Sequence, residues 1–316
     1  MDFRLTEDQR ALAEGTHGLL ARLYPAERLR EDAAGAAAGR PVTLDLGMWR
    51  ALGEAGFFAL RLPEERGGLG LGLPEAVLVF EEAGRALLPG PLVTTHLAAG
   101  RVPGAAEGTA VVTAVDGELI EWLEASGHVL GSYGKAEPVR SVDPLTPLHR
   151  VTGGEPAGGV TAGGVMTGGV TAGEVTAGEL LTSAQQTGSA ARTLDLAVRH
   201  AADREQFGRP IGSFQAVKHL CADMLVRSEM ARTAVRAAAV SGEAGETAAA
   251  RLLADEAAVR NARDCLQVFG GMGFTWEAEV HLHIKRSWIL RGRGRSVAEC
   301  EEGLALSLLD NTFRGG

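Results

Sequence analysis

Between Leu181 and Leu225 an apolar helical period runs, stops and starts again, and that interruption constrains the fold more than any other feature of the chain. Leu181, Ala184, Gly188, Ala191, Leu194, Val198 and Ala201 recur at helical spacing, so this segment carries one apolar face. Pro210 and Gly212 break the pattern, Ser213 reads as an N-cap, and Phe214, Val217, Cys221, Met224 and Leu225 resume it. Two long helices joined by a short polar turn are the consequence. The turn exposes Arg204, Gln206 and Phe207, and an arginine held at a helix junction beside an aromatic suits a phosphate and a flat ring. The plainer alternative is a structural hairpin whose Arg204 pairs with a surface carboxylate.

With 316 residues, 45% of them hydrophobic, the chain can bury a sizeable core in one large or two to three small domains. Its net charge of −9 argues against a general nucleic-acid or anionic-membrane surface. Cys221, Cys265 and Cys300 sit in helical patterns without metal-ligand spacing, which reads as buried free thiols in a reducing cytoplasm. The opening Met1-Asp2-Phe3 runs into charged residues, with no signal-peptide core and no apolar run of membrane-spanning length.

Thr6-Glu7-Asp8-Gln9 reads as an N-cap with an acidic first turn, followed by Leu12, Thr16, Leu19, Leu20 and Leu23 on one face of a helix. An alanine-rich connection is expected to about Val42, then a helix through Met48, Trp49 and Leu52 ending at Gly56. Pro74 to Leu87 predicts a third helix. The loop between them, Gly67-Gly68-Leu69-Gly70-Leu71-Gly72, invites a dinucleotide-binding reading, but no strand leads into it, so a turn between helices is favoured. Ala110–Val115 is a strand candidate, with weaker ones at Val129-Leu130 and Val151. A five-residue unit then repeats from Val160 through Glu179, and its glycine density predicts a mobile linker. A long helix is expected over Glu243–Val268, closed by Gly270–Gly273, and another over Glu277–Leu290. His281 and His283 lie two apart on the latter and point to different faces, so neither is expected to ligate a metal.

Arg204-Glu205-Gln206-Phe207-Gly208-Arg209-Pro210-Ile211-Gly212, with Phe214-Gln215-Ala216, closely resembles the signature of the acyl-CoA dehydrogenase family. Gln267-Val268-Phe269-Gly270-Gly271-Met272-Gly273-Phe274 resembles that family's later glycine-rich segment, and the Leu-Thr-Glu-Asp-Gln opening resembles its helical amino-terminal domain. The resemblance implies a mainly α fold: an N-terminal helical domain over 1–105, a reduced β domain over 106–158, a Gly-rich linker over 159–179 and a C-terminal four-helix bundle over 180–316. It implies FAD, held at its pyrophosphate and adenine end by Arg204, Gln206 and Phe207, with close backbone approach at Gln267, Gly270 and Gly271. In family dimers these groups reach the flavin of the neighbouring subunit.

Such enzymes remove the α-proton of an acyl thioester with a carboxylate while the β-hydrogen leaves as hydride to FAD. The common family base is a Glu in a Glu-Gly-Thr motif, and an ungapped count from Gly270-Gly271 puts Gly294 there, inside Arg291-Gly292-Arg293-Gly294-Arg295. Other members place the base ahead of the Arg204 corner, where Glu179 lies one residue off in an ungapped count from Gly188, and Glu179 is the candidate base. The basic run 291–295 is read either as meeting a coenzyme A phosphate or as a solvated turn. This middle region also lacks the Thr-Glu-Pro-x-x-Gly-Ser-Asp loop of the family. The resulting expectation is a subunit acting on an acyl-CoA or acyl-carrier thioester, partnered by a homologous acyl-CoA dehydrogenase-like chain or by itself. A scaffold that kept the fold and lost flavin is the alternative.

Overall fold

Thr6 opens the first helix, α1 (Glu7–Leu23), through a capping box: its hydroxyl accepts from the Gln9 amide at 3.1 Å and the Gln9 side chain accepts from the Thr6 amide at 3.1 Å. The computed structural model describes residues 4–153 and 171–314. The segment expected to be an alanine-rich connection instead forms α2 (Ala26–Ala37), because Leu29 and Ala33 lie on one face and bury it. Asp45 caps α3 (Leu46–Glu54), accepting from the amides of Gly47 and Met48 at 2.8 and 2.9 Å. The glycine-rich loop is a turn between helices, as expected, and leads into α4 (Leu73–Arg85). A short helix the sequence reading passed over, α5 (Leu92–Ala98), follows.

The middle of the chain forms a five-stranded sheet in the order β3-β1-β2-β5-β4. Its strands are β1 (Val112–Asp116), β2 (Leu119–Glu121), β3 (His128–Leu130), β4 (Lys135–Val139) and β5 (Leu148–Thr152). β1 pairs β3 in parallel, with Val112 opposite His128, and the remaining ladders are antiparallel. The sequence marked β1, β3 and β5; β2 and β4 carry too little apolar alternation to announce themselves.

From Ala172 the chain becomes one long helix, α6 (Ala172–Asp203), which starts inside the span expected to be linker. Residues 154–170 of that span lie outside the described residues. Thr171 and Glu174 form a capping box, and Ala177, Leu180 and Leu181 are fully buried, so burial outweighs the cost of glycine in a helix, about 1 kcal/mol each. A two-residue hairpin, β6 (Glu205–Gln206) and β7 (Arg209–Pro210), then leads to α7 (Gln215–Ser241). Phe214, not Ser213, stands at the N-cap of α7, because Ile211–Ser213 is taken up by a 3-10 turn. α8 (Ala244–Phe269), α9 (Val280–Arg291) and α10 (Val297–Arg314) complete the chain.

Helix α6 runs through the centre and packs against α4, α7, α8 and α9. At its crossing with α4 the backbones interlock: a Cβ on Gly188 would stand 1.9 Å from the Glu81 carbonyl oxygen, and one on Gly84 would stand 2.0 Å from that of Gln185. The N-terminal side of the core is aromatic, with Trp49, Phe57, Phe58 and Phe80 in a chain of ring contacts 4.6 to 5.3 Å apart. All three cysteines are free, as expected, with Cys265 and Cys300 buried but Cys221 only half-buried.

His96 closes that aromatic chain edge-on to Phe80 and is only 5% exposed. Burial, with help from the Arg61 charge, pulls its pKa from 6.5 down to about 4. The folded state therefore favours neutral His96, and the unfolded state takes up a proton first. Stability from this group is complete above about pH 6.5 and drains as pH falls toward 4, by about 3 kcal/mol in all. Urea unfolding at pH 7 and pH 4.5 is expected to show that loss, and His96→Leu to shrink it; an unchanged slope in the variant would remove His96 from the account.

Candidate functional site

The corner after α6 is built by backbone geometry. Arg204 caps the helix, its amide donating to the His200 carbonyl at 2.9 Å, and its own carbonyl accepts from Ile211 at 2.8 Å. Phe207 and Gly208 both hold positive φ, +55° and +74°, which are the values a two-residue hairpin turn between twisted strands requires. A bulky residue rarely adopts this conformation, and here it throws the Phe207 ring outward to 89% exposure. The Arg209 guanidinium covers the Phe214 ring at 4.2 Å, and Phe207 meets the same ring edge-on.

The second block ends α8. Gly270 holds φ +59° with ψ −141°, which stops the helix and starts the 3-10 turn Gly270–Phe274. Phe274 is 71% exposed, and Gln267, Gly270 and Gly271 are exposed as well. The two blocks meet. His200, one turn before Arg204, stacks on Phe269 with ring centroids 4.1 Å apart and planes 15° from parallel. Beneath them Ala197, Ala201, Ile211, Cys265 and Val268 share one apolar cluster. Arg204, Gln206, Phe207, Gln267, Gly270 and Gly271 thus lie at one end of the bundle, carried by α6 and α8 and open to solvent.

Glu179 lies elsewhere, on the first half of α6, and is 5% exposed. Arg295 grips both its oxygens, Nε to Oε1 at 2.6 Å and Nη2 to Oε2 at 2.5 Å. The rest of the basic run is tied down too. Arg293 pairs with Glu121 of β2, the Gly294 amide donates to Asp116 of β1 at 3.1 Å, and Arg251 of α8 donates to the Arg291 carbonyl at 3.2 Å. Arg293 and Arg295 are therefore internal struts, and the reading of the run as a solvated turn or a phosphate contact does not fit them. Sequence reasoning missed this tie because its partners come from four separate elements; the clustered arginines were the only signal.

Among the described residues no group of His, Cys, Asp and Glu is placed to hold a metal ion, and no helix is long and apolar enough to cross a membrane. His281 and His283 are buried on α9, with His283 Nδ1 2.8 Å from the Ser189 hydroxyl. The exposed end of the bundle does fit the nucleotide half of FAD. The Arg204 guanidinium makes no ion pair among the described residues, Phe207 offers an exposed ring, and nothing stands within 4 Å of a Cβ built on Gly270 or Gly271, so a ligand can reach the backbone there.

Known proteins bear on this arrangement in three ways. Residues 6–110 match the acyl-CoA dehydrogenase N-terminal domain, and residues 169–292 match the acyl-CoA dehydrogenase C-terminal domain. Acyl-CoA dehydrogenase IpdE2 of Mycobacterium tuberculosis is 36% identical over 77% of this chain and 80% of its own, and IpdE2 of Mycolicibacterium smegmatis is 34% identical over 90% and 93%. Acyl-CoA dehydrogenase FadE34 of M. tuberculosis is 34% identical over 78% of this chain, which spans 41% of that longer protein. The fold is shared with the ChsE4-ChsE5 complex from M. tuberculosis (TM-score 0.78, 21% identity, 98% of this chain and 99% of that one). A glutaryl-coenzyme A dehydrogenase shares it as well (TM-score 0.80, 19% identity, 98% and 97%). The Arg204 corner and the turn after Gln267 both lie within the matched C-terminal domain, and the chain belongs to the acyl-CoA dehydrogenase family.

Proposed function

We propose that the chain is one subunit of a flavin-dependent dehydrogenase that introduces an α,β double bond into an acyl thioester, working with a homologous subunit that carries the base. What supports this reading above all is the His200–Phe269 stack, which gathers the Arg204 corner and the Gly270 turn on one outward-facing surface. A surface of that kind serves a nucleotide seated in a neighbouring chain. Arg204 would meet the pyrophosphate as a charge-assisted donor, Phe207 would lie against the adenine side, and Gln206 and Gln267 would supply amide donors with the Gly270-Gly271 backbone. FAD, when bound, accepts the β-hydrogen as hydride.

The α-proton needs a free carboxylate near the substrate. Glu179 is the residue the family resemblance offers, yet both its oxygens are held by Arg295, so it cannot reach a substrate proton without breaking that pair. Gly294 stands at the other family position. The reading therefore assigns Glu179 to the tie between α6 and the turn before α10, and the base to the partner. The ChsE4-ChsE5 complex, a chain of which has this fold, is a precedent for such a chain assembled with another.

The test is to purify the chain alone and with a co-expressed longer homologue. Flavin absorbance and acyl-CoA desaturation are expected only from the pair, with flavin lost on Arg204→Ala and turnover kept in Glu179→Gln. One FAD per subunit and full turnover from the chain alone would overturn the partner requirement. Loss of turnover in Glu179→Gln with the flavin spectrum intact would return the base to Glu179. A colourless preparation in every combination would favour the scaffold reading.

A further inference from the structure

The chain has only three lysines, Lys135, Lys218 and Lys285, against a large excess of arginine. Lys135 projects from β4, 74% exposed, and pairs with Glu137; Lys218 lies exposed on α7. Lys285, on α9, is placed differently. Its amine sits 4.8 Å from the centre of the Trp276 ring and 3.3 Å from Nδ1 of His281, one turn earlier on the same helix. Trp276 stands edge-on to the His281 ring at 4.8 Å and closes the third side. Trp276 is 41% exposed and Lys285 half-buried, so the cluster opens to the surface.

His281 is 6% exposed, and burial, together with the Lys285 charge, holds its pKa near about 4. At neutral pH it is therefore an uncharged imidazole with Nδ1 facing the amine at 3.3 Å, and in the tautomer protonated at Nε2 that nitrogen is a hydrogen-bond acceptor. Burial also draws the Lys285 amine below the ordinary lysine range, with Asp143 opposing. A lysine that is partly desolvated and hydrogen-bonded to a neutral acceptor has the environment of a nucleophile rather than of a surface charge.

We propose that Lys285 is a self-acylation site, at which the amine takes the acyl group of a reactive thioester such as an acyl-CoA, with His281 as the proton acceptor. The Nζ lone pair forms a bond to the thioester carbonyl carbon, and the carbon–sulfur bond breaks with its electron pair on sulfur. One proton leaves nitrogen for His281 Nδ1 and passes on to the thiolate, so the products are an amide on Lys285 and free thiol, with no change of oxidation state. The Trp276 ring holds the amine over this acceptor and offers an apolar face to the incoming acyl chain. The inference stands on this cluster alone and does not depend on flavin or on the partner.

The experiment incubates the full chain with octanoyl-CoA at pH 8 and maps acylation by peptide mass spectrometry, with Lys135 and Lys218 as internal references. Lys285 is expected to react about tenfold faster than either, a small part of what a positioned proton acceptor can contribute. His281→Phe is expected to bring Lys285 down to the reference rate while leaving the other two unchanged; a variant that merely unfolds would raise all three. Equal rates at the three lysines of the unaltered chain would overturn the proposal. Retention of the fast Lys285 rate in His281→Phe would overturn the role given to His281.

Discussion

Arg286→Met is expected to cost the fold about 3–5 kcal/mol, the range for leaving one member of a buried ion pair without its partner. Arg286 of α9 and Asp143, in the loop before β5, have side chains 8% and 1% exposed and are paired through Nε. The guanidinium also donates to the Leu88 carbonyl at 3.1 Å, beyond the end of α4. Asp143 in turn accepts from the Leu145 amide at 3.0 Å and the Thr146 hydroxyl at 2.6 Å, which shapes the loop. One side chain therefore ties the bundle, the sheet and the N-terminal helices at a single buried point. Methionine keeps most of the volume, so the loss reports the stranded carboxylate and not a cavity. Urea unfolding of the two single variants and of Arg286→Met with Asp143→Leu measures the coupling. The double variant is expected to recover part of the loss, and strictly additive effects would show that the pair is not a unit.

Gly188→Ala carries the second large effect, and its sign is diagnostic. In an isolated helix the change stabilises by about 1 kcal/mol. Here the new methyl would stand 1.9 Å from the Glu81 carbonyl oxygen and 2.8 Å from the Glu81 carbonyl carbon, and both atoms belong to the α4 backbone. A backbone cannot swing aside as a side chain can, so α4 and α6 must separate along their contact. Overpacking of this kind costs about 3 kcal/mol or more. Gly84→Ala meets Gln185 from the opposite helix in the same way and is expected to match it. Gly173→Ala, with nothing within 4 Å of its Cβ near the start of α6, is the control expected to gain stability. A stabilising Gly188→Ala would mean that the helices do not cross at this pair.

The helical half of the molecule was legible in the sequence because its signals are local. The 181–201 and 214–225 periods, the glycines after Phe269 and the Thr6 cap each depend on residues within a few turns, and each element stands where its pattern placed it. Where the reading failed, a local rule met a tertiary one. Alanine and glycine between Ala26 and Ala37 and between Ala172 and Glu179 carry weak signals, and burial of Leu29, Ala33, Ala177 and Leu180 decided that both stretches are helical. β2 and β4 are strands because β5 lies between them.

The candidate site divides in the same way. Residue types singled out Arg204, Gln206 and Phe207 as a charged junction beside an aromatic, and the family resemblance added Gln267, Gly270 and Gly271. That these two blocks, some sixty residues apart, meet through His200 and Phe269 is a property of how α6 lies on α8. The pairing of Glu179 with Arg295, which reaches it from across the bundle, is likewise a property of the packing. Sequence determined the strongly periodic helices, because hydrogen bonds and apolar periods act over a few residues. Tertiary structure decided which charges face each other, because a carboxylate is free or locked according to what packing brings within 3 Å of it.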